Sequence, residues 1–225
     1  MLQAVLFDLD GTLLDTEPDF TIILNQMLVD HGQAVVTAAN VRKFVSAGAT
    51  TLVSQGFGMP VDDLRLPDLL AEFLQRYAHQ IKSTQAILFA DIDALLNSLN
   101  ERGAQWGIMT NKARRFSKPL VTFFEEFSTC ATLVCPDDVG ISKPDPAGLL
   151  LACKQLGVTP AHTCYVGDHP RDIEAAINAG MPGIAVSWGY LPDDKPIEQW
   201  GASIISRTPL DLINQLASQL NNSKK

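Results

Sequence analysis

Short apolar runs alternate with segments of helical period along most of the chain. Runs of strand length occupy residues 4–7, 106–109, 132–135, 164–166, 184–186 and 204–205. Apolar residues at helical spacing lie between them, over residues 92–101, 116–124, 148–156, 172–179 and 210–220. Strands that alternate with helices are typical of a parallel sheet covered by helices. The pattern therefore predicts a doubly wound, Rossmann-like α/β fold with a mostly parallel sheet.

The segment from residue 15 to residue 87 departs from this alternation. It contains no convincing strand, and its apolar residues follow the helical period over 20–29, 41–44 and 64–81. Since it lies between the first strand and the second, we expect an all-helical cap domain inserted into the α/β domain. The predicted division is residues 1–14 and 88–225 for the catalytic core, residues 15–87 for the cap, and residues 221–225 for a frayed polar tail.

Composition and charge narrow the classes of partner. Hydrophobic residues make up 46% and charged residues 19% of the chain, which is typical of a globular protein. The 17 Lys and Arg against 25 Asp and Glu give a net charge of −8, so nucleic acid is not an expected partner. No apolar run approaches the roughly 18 residues that span a bilayer, so no membrane partner is expected. Four sparse cysteines and an N-terminus without basic residues favour a cytoplasmic protein. The expected assembly is a monomer or a dimer.

Polar side chains follow four of the predicted strands. They are Asp8, Asp10, Gly11 and Thr12 after the first strand, Thr110, Asn111 and Lys112 after the second, Lys143 beyond the third, and Asp168 and Asp172 after the fourth. Taken singly, three of these groups have an ordinary explanation: Asp10-Gly11 is a favoured hairpin turn, Lys143 fits a solvated loop, and the last pair fits a turn and a helix N-cap. Because ligands bind beyond the carboxyl ends of parallel strands, their joint placement favours one site.

These residues resemble the four ordered motifs of the haloacid dehalogenase superfamily. The motifs are Phe7-Asp8-Leu9-Asp10-Gly11-Thr12-Leu13, Thr110-Asn111, Lys143-Pro144, and Gly167-Asp168 with Asp172. The helical insertion resembles the cap of that family, so the resemblance covers the whole chain except its tail. It implies a Mg²⁺-dependent phosphatase that acts on a small phosphorylated metabolite.

The resemblance also implies a role for each residue. Asp8 would be the nucleophile that forms an aspartyl-phosphate, and Asp10 would be the general acid and base. Mg²⁺ would be held by Asp8, the backbone carbonyl of Asp10, and Asp168. Lys143 and Thr110 would hold the phosphoryl oxygens. Of the rest, Asp172 would orient Lys143 or a metal-bound water, Thr12 would hold the turn, and Gly11, Asn111, Lys112, Ser46 and Gly48 would contact phosphate or substrate.

A few positions distinguish the branches of this superfamily. Asp10 argues against a dehalogenase, because those enzymes lack the second acid of the first motif. Phe20 stands where related sugar-phosphate mutases have a histidine, which disfavours a mutase or phosphotransferase. A non-catalytic binding protein is also disfavoured, since all of the motif residues are present.

The branch that remains resembles the phosphoglycolate phosphatases. Within it, the chain is most similar to the N-acetylmuramic acid 6-phosphate phosphatases of bacterial peptidoglycan recycling. The segments that carry this likeness are Trp106-Gly107, Cys135-Pro136-Asp137, Ser142-Lys143-Pro144-Asp145-Pro146 and Trp188-Gly189-Tyr190. N-acetylmuramic acid 6-phosphate is therefore the expected substrate, and 2-phosphoglycolate is the alternative.

Overall fold

A computed structural model describes residues 1–220, and the chain divides into two compact units. One unit comprises Met1–Leu14 together with the chain from Leu88 onward, and the other comprises Asp15–Ile87. The polar tail expected at residues 221–225 lies outside the described residues. Within residues 1–220, no helix is long and apolar enough to cross a membrane.

The strands and helices follow one another in the order expected of an α/β chain with a helical insertion. The strands are β1 Ala4–Phe7, β2 Leu14–Asp15, β3 Ile87–Leu88, β4 Gln105–Met109, β5 Leu133–Val134, β6 Thr163–Gly167, β7 Gly183–Val186 and β8 Ile204–Ser206. The helices are α1 Glu17–Asp30, α2 Ala38–Arg42, α3 Ala49–Gly56, α4 Leu66–Gln80, α5 Ile92–Glu101, α6 Arg114–Phe123, α7 Pro136–Val139, α8 Ala147–Leu156, α9 Pro170–Ala179 and α10 Pro209–Ala217. Single 3₁₀ turns cover Ile81–Ser83, Glu125–Phe127, Pro160–His162 and Ile197–Gln199.

A six-stranded parallel sheet forms the centre of the first unit. Its strand order is β5-β4-β1-β6-β7-β8, and every neighbouring pair is parallel. All four residues of β1 are buried, as expected for a central strand that is covered on both faces. The chain runs to one side of β1 through β4 and then to the other side through β6. This arrangement confirms the predicted doubly wound fold, and it places the switch point, where such folds bind ligands, at the carboxyl end of β1.

The second unit is a small helical assembly with a core of its own. Phe20 of α1 packs against Phe73 and Tyr77 of α4, with ring centroids 6.0 and 4.9 Å apart. The carboxylate of Asp19 is fully buried and accepts hydrogen bonds from the Gln80 side chain at 3.0 Å and the Gln85 backbone at 2.8 Å. Phe20, the position that argued against a mutase, therefore serves as a core residue of this unit.

The structure corrects the predicted elements of this insertion at two places. The expectation of no strand between residues 15 and 87 is wrong at its ends, because Asp15 and Ile87 belong to the paired strands β2 and β3. The sequence did not predict helix α3, because the helix has only eight residues and two of them are adjacent threonines, which are weak helix formers. Strands of two residues and a helix of two turns carry too few positions to show a period.

Candidate active site

The chain turns sharply after β1, and this turn presents the first two aspartates. The carbonyl of Leu9 accepts hydrogen bonds from the backbone N–H groups of Leu13 and Leu14, both at 3.0 Å. The backbone N–H of Asp8 continues the pairing toward β6, donating to the carbonyl of Val166 at 2.9 Å. Because β1 pairs only in parallel among the described residues, the hairpin explanation of Asp10-Gly11 is wrong.

Gly11 and Gly189 allow this turn to pack against Asp168. Gly11 has a φ of 82°, and a Cβ at this position would overlap the Asp168 carboxylate and lie 2.8 Å from a ring carbon of Tyr190. A Cβ at Gly189 would lie 2.5 Å from the Cβ of Asp168. Asp168 accepts a hydrogen bond at 2.7 Å from the backbone N–H of Tyr190 and one at 3.3 Å from the hydroxyl of Thr12. Thr12 therefore contacts the carboxylate of Asp168 directly.

A substitution of Gly11 by alanine should disrupt the packing of the turn against Asp168. We expect Gly11→Ala to lower the free energy of unfolding by about 2–5 kcal/mol, because it adds overlap with Asp168 to the cost of the left-handed backbone. Gly157→Ala is the matched control, since Gly157 has a φ of 69° and open space around its missing Cβ. The control should cost only about 1–2 kcal/mol. Urea unfolding of both variants measures the difference, and equal costs would contradict the close packing.

Lys143 lies at the centre of the site, and its side chain is completely buried. Its Nζ atom lies 2.8 Å from Asp8 Oδ2, 2.8 Å from Asp172 Oδ1 and 2.7 Å from the hydroxyl of Tyr165. The Tyr165 hydroxyl donates in turn to the carbonyl of Met109 at 2.7 Å. Burial favours the neutral amine, but the charges of Asp172 and Asp8 outweigh it and raise the pKa of Lys143. The lysine is therefore a fixed positive charge beside Asp8.

Asn111 holds the backbone of Lys143 in place. Its side-chain oxygen accepts from the Lys143 N–H at 2.8 Å, and its side-chain nitrogen donates to the Lys143 carbonyl at 3.2 Å. These two hydrogen bonds occupy the side-chain amide of Asn111, which was expected to contact phosphate or substrate. The structure thus gives Asn111 a supporting position, because the β4 loop and the loop that carries Lys143 meet at this side chain.

The ammonium of Lys112 contacts the carboxylate of Asp10. Its Nζ atom lies 2.9 Å and 3.2 Å from the two carboxylate oxygens of Asp10. The backbone N–H of Lys112 donates to the hydroxyl of Thr110 at 3.2 Å, and Thr110 is buried at the end of β4. Both residues were expected to contact the phosphoryl group or the substrate, and the structure shows them beside the turn that follows β1.

Three carboxylates converge near the buried lysine. One oxygen each from Asp8, Asp168 and Asp172 lie within 4.8 Å of one another. Burial, followed by the charges of Asp172 and Asp8, raises the pKa of Asp168 to about 8. Burial also raises the pKa of Asp8 against the opposing effect of Lys143. An oxygen-only cluster in which three carboxylates face one lysine fits a hard divalent cation.

Asp172 and His169 organise the start of α9. Oxygen Oδ2 of Asp172 accepts the backbone N–H of His169 at 3.0 Å, so Asp172 caps this helix while its other oxygen contacts Lys143. His169 Nδ1 accepts from the backbone N–H and the Nε of Arg171, at 3.2 and 3.1 Å. Burial and the charge of Arg171 lower the pKa of His169 to about 4, so the imidazole is neutral. The N-cap of α9 is His169 and not one of the two aspartates, while Asp172 stands at the third position of the helix and contacts both the N-cap backbone and Lys143.

Several residues at the site were not assigned a role by the sequence, because their partners are distant along the chain. Tyr165 contacts Lys143 from inside β6, and Trp188 donates its ring N–H to the Thr12 carbonyl at 3.0 Å. The only signal was the position of Trp188-Gly189-Tyr190 directly after a strand. Of the predicted substrate contacts, Ser46 and Gly48 belong to the second unit, where Gly48 precedes α3 with a φ of 91°.

The fold and the site define an α/β protein in which carboxylates and a buried lysine gather at the switch point of the sheet. The chain belongs to the haloacid dehalogenase-like hydrolase family, whose sequence profile matches residues 5–186. This match confirms the family that the four motifs predicted.

Known proteins resemble the chain over nearly its whole length. The N-acetylmuramic acid 6-phosphate phosphatase of Pseudomonas aeruginosa is 43% identical over 219 residues, covering 96% of this chain and 95% of that protein. A phosphoglycolate phosphatase of Xanthomonas campestris is 39% identical, covering 93% and 94%. A haloacid dehalogenase-like protein of Streptococcus pneumoniae has the same fold, with a TM-score of 0.79 at 19% identity over 96% of this chain and 98% of that chain.

Proposed function

We propose that the protein is a Mg²⁺-dependent phosphatase that transfers the phosphoryl group of a small metabolite first to Asp8 and then to water. The observation that carries this proposal is the contact between Asp8 and the buried ammonium of Lys143, at 2.8 Å. Burial raises the pKa of Asp8, and the charge of Lys143 opposes this effect, so it favours the carboxylate form that attacks phosphorus. The family and the relatives support the same reaction.

Lys143 also serves the incoming phosphoryl group. A carboxylate that approaches a phosphate dianion meets charge repulsion, and the chain as a whole carries a charge of −8. A local positive charge fixed by Asp172 and Tyr165 reduces that repulsion at the point of attack. Thr110, buried at the end of β4, would supply a hydroxyl for a phosphoryl oxygen. Backbone N–H groups of the turn around Gly11 would add further donors.

Asp10 is suited to move protons between the leaving group and water. It lies two residues beyond Asp8 and contacts a different lysine, so the two carboxylates occupy separate environments. In the first transfer, the bond from Asp8 to phosphorus forms, the ester bond breaks, and Asp10 gives a proton to the departing oxygen. In the second transfer, Asp10 takes a proton from the attacking water, the bond from that water to phosphorus forms, and the bond from Asp8 to phosphorus breaks, so that inorganic phosphate leaves and Asp8 is regenerated.

The carboxylate cluster would hold the metal that the family uses. We assign Asp8, Asp168 and the backbone carbonyl of Asp10 to Mg²⁺, and Asp172 to Lys143 and the start of α9. When bound, Mg²⁺ supplies charge neutralisation for the transferring phosphoryl group. The close approach of Gly11 and Gly189 to Asp168 keeps that carboxylate at a fixed place at the switch point.

N-acetylmuramic acid 6-phosphate is the substrate that we propose. The support is sequence likeness over whole chains, since two phosphatases named for this substrate are 43% and 40% identical, against 39% for the first phosphoglycolate phosphatase. The second candidate is therefore 2-phosphoglycolate. The helical unit is the proposed cap that selects the substrate, through residues such as Ser46 and Gly48. The four cysteines are free thiols that form no disulfide bond, which supports a cytoplasmic location.

Phosphate release from the two candidate substrates with Mg²⁺ tests this assignment. We expect kcat/KM to be at least ~100-fold higher for N-acetylmuramic acid 6-phosphate, which corresponds to roughly 2.7 kcal/mol of transition-state stabilisation. Glucose 6-phosphate is a matched control, because it is a sugar 6-phosphate without the lactyl and acetamido groups. A preference of similar size for 2-phosphoglycolate would contradict the proposed substrate. Loss of all turnover with EDTA, and its return with Mg²⁺, is expected for either substrate.

A further inference from the structure

The ion pair between Lys112 and Asp10 is more enclosed than an ordinary surface pair. The Lys112 side chain is 7% exposed and the Asp10 side chain is 19% exposed. One ammonium reaches both carboxylate oxygens, at 2.9 and 3.2 Å. The lysine is anchored at its base, because its backbone N–H donates to Thr110 at the end of β4. The base of the Lys112 side chain is therefore held at the end of β4.

The two lysines of the site contact different aspartates. Lys143 contacts Asp8 and Asp172, and Lys112 contacts Asp10. A lysine that binds the oxygens of the phosphoryl group has to lie beside the carboxylate that attacks phosphorus. Lys143 occupies that position beside Asp8. A lysine that contacts both oxygens of the other carboxylate fixes the direction in which that carboxylate faces.

We propose that Lys112 is a positioning residue for Asp10, which rests on the proposed role of Asp10 in proton transfer. Its ammonium fixes the plane of the Asp10 carboxylate, so that the carboxyl group meets the leaving oxygen and later the attacking water along one direction. When a catalytic group moves by roughly 1 Å from its productive position, the rate of the step that it assists falls by about 100-fold. The contribution of Lys112 thus appears only in steps that need a proton from Asp10 or deliver one to it.

Leaving groups of different acidity separate this role from phosphate binding. An alkoxide departs only with a proton, whereas 2,4-dinitrophenolate departs without one, and kcat/KM reports on steps up to the first phosphoryl transfer. In Lys112→Met, which retains an unbranched buried side chain, we expect kcat/KM to fall about 30- to 100-fold for the preferred sugar phosphate and for glycerol 3-phosphate. The value for 2,4-dinitrophenyl phosphate should fall less than about threefold. Lys112→Arg, which keeps a cation with several donors, should recover at least about tenfold of the loss.

Two further results distinguish failure of this inference from failure of the proposed function. Asp10→Asn should show the same dependence on the leaving group, and Lys112→Met in the Asp10→Asn background should cause less than about a threefold further loss. Equal losses with the alkyl and aryl esters in Lys112→Met would overturn the positioning role and indicate phosphate contact or a structural role. A loss confined to substrates that carry a carboxylate would overturn it in favour of a substrate contact. Absence of any leaving-group dependence in Asp10→Asn would instead refute the role of Asp10 itself.

Discussion

Asp8→Asn is expected to lower kcat by about 10⁴-fold or more while the protein remains folded. Asparagine has the shape of aspartate but cannot form the covalent bond to phosphorus. The backbone of residue 8 keeps its hydrogen bond to Val166, and the cluster of Asp8, Asp168 and Asp172 loses one of its three carboxylates. The measurement pairs steady-state phosphate release with urea unfolding of the same preparation.

Asp93→Asn provides the control for loss of a negative charge alone. Asp93 is an exposed residue in the first turn of α5, so its replacement should leave kcat within about twofold of the original value. A kcat for Asp8→Asn within about tenfold of the original would contradict the nucleophilic role. Unfolding of the Asp8→Asn variant at unchanged activity per folded molecule would contradict it as well.

Lys143→Met is expected to reduce both stability and activity. Removal of this ammonium leaves Asp8 and Asp172 in a buried site without their positive partner, which should lower the free energy of unfolding by about 3–5 kcal/mol. We expect kcat/KM to fall by about 10³-fold or more, because the same charge offsets repulsion between Asp8 and the phosphate. Metal-free protein should be used for the unfolding measurement, so that ligand binding does not mask the loss.

A second variant distinguishes loss of charge balance from loss of packing. Adding Asp172→Asn to Lys143→Met removes one uncompensated carboxylate, and it should restore about 1–2 kcal/mol of stability without restoring activity. Lys154→Met, on the exposed face of α8, is the matched control and should change stability by less than about 0.5 kcal/mol. A stability loss below about 1 kcal/mol in Lys143→Met would contradict the buried cluster.

The sequence was sufficient to predict the parallel sheet and the residues that gather at its edge. Buried parallel strands are short continuous apolar runs, and β1, β4 and β6 each appear as such a run directly before a polar motif. Because parallel strands end at the same edge, the order of the motifs alone places Asp8, Thr110 and Asp168 near one another. Helix α5 coincides with its predicted range, since its apolar residues repeat at helical spacing over ten positions.

The contacts among these residues could not be predicted in the same way. A sequence shows that a lysine follows β4, but not whether it faces Asp8 or Asp10, since that depends on side-chain directions across two loops. Asn111 likewise has the right chemistry for a phosphate ligand, yet its amide pairs with the backbone of Lys143. Tyr165 carries no motif signal, because an aromatic residue in a buried strand is equally consistent with simple packing.

The covalent intermediate at Asp8 is the point on which the proposed reaction depends, and its chemical identity can be measured directly. Protein mixed briefly with substrate and Mg²⁺ is denatured with acid and treated with borohydride, which reduces an aspartyl-phosphate to homoserine. Peptide mass spectrometry should then find homoserine at position 8, and none in protein without substrate or in Asp8→Asn. Homoserine at another aspartate, or turnover with an unchanged residue 8 at every quench time, would contradict the proposed reaction.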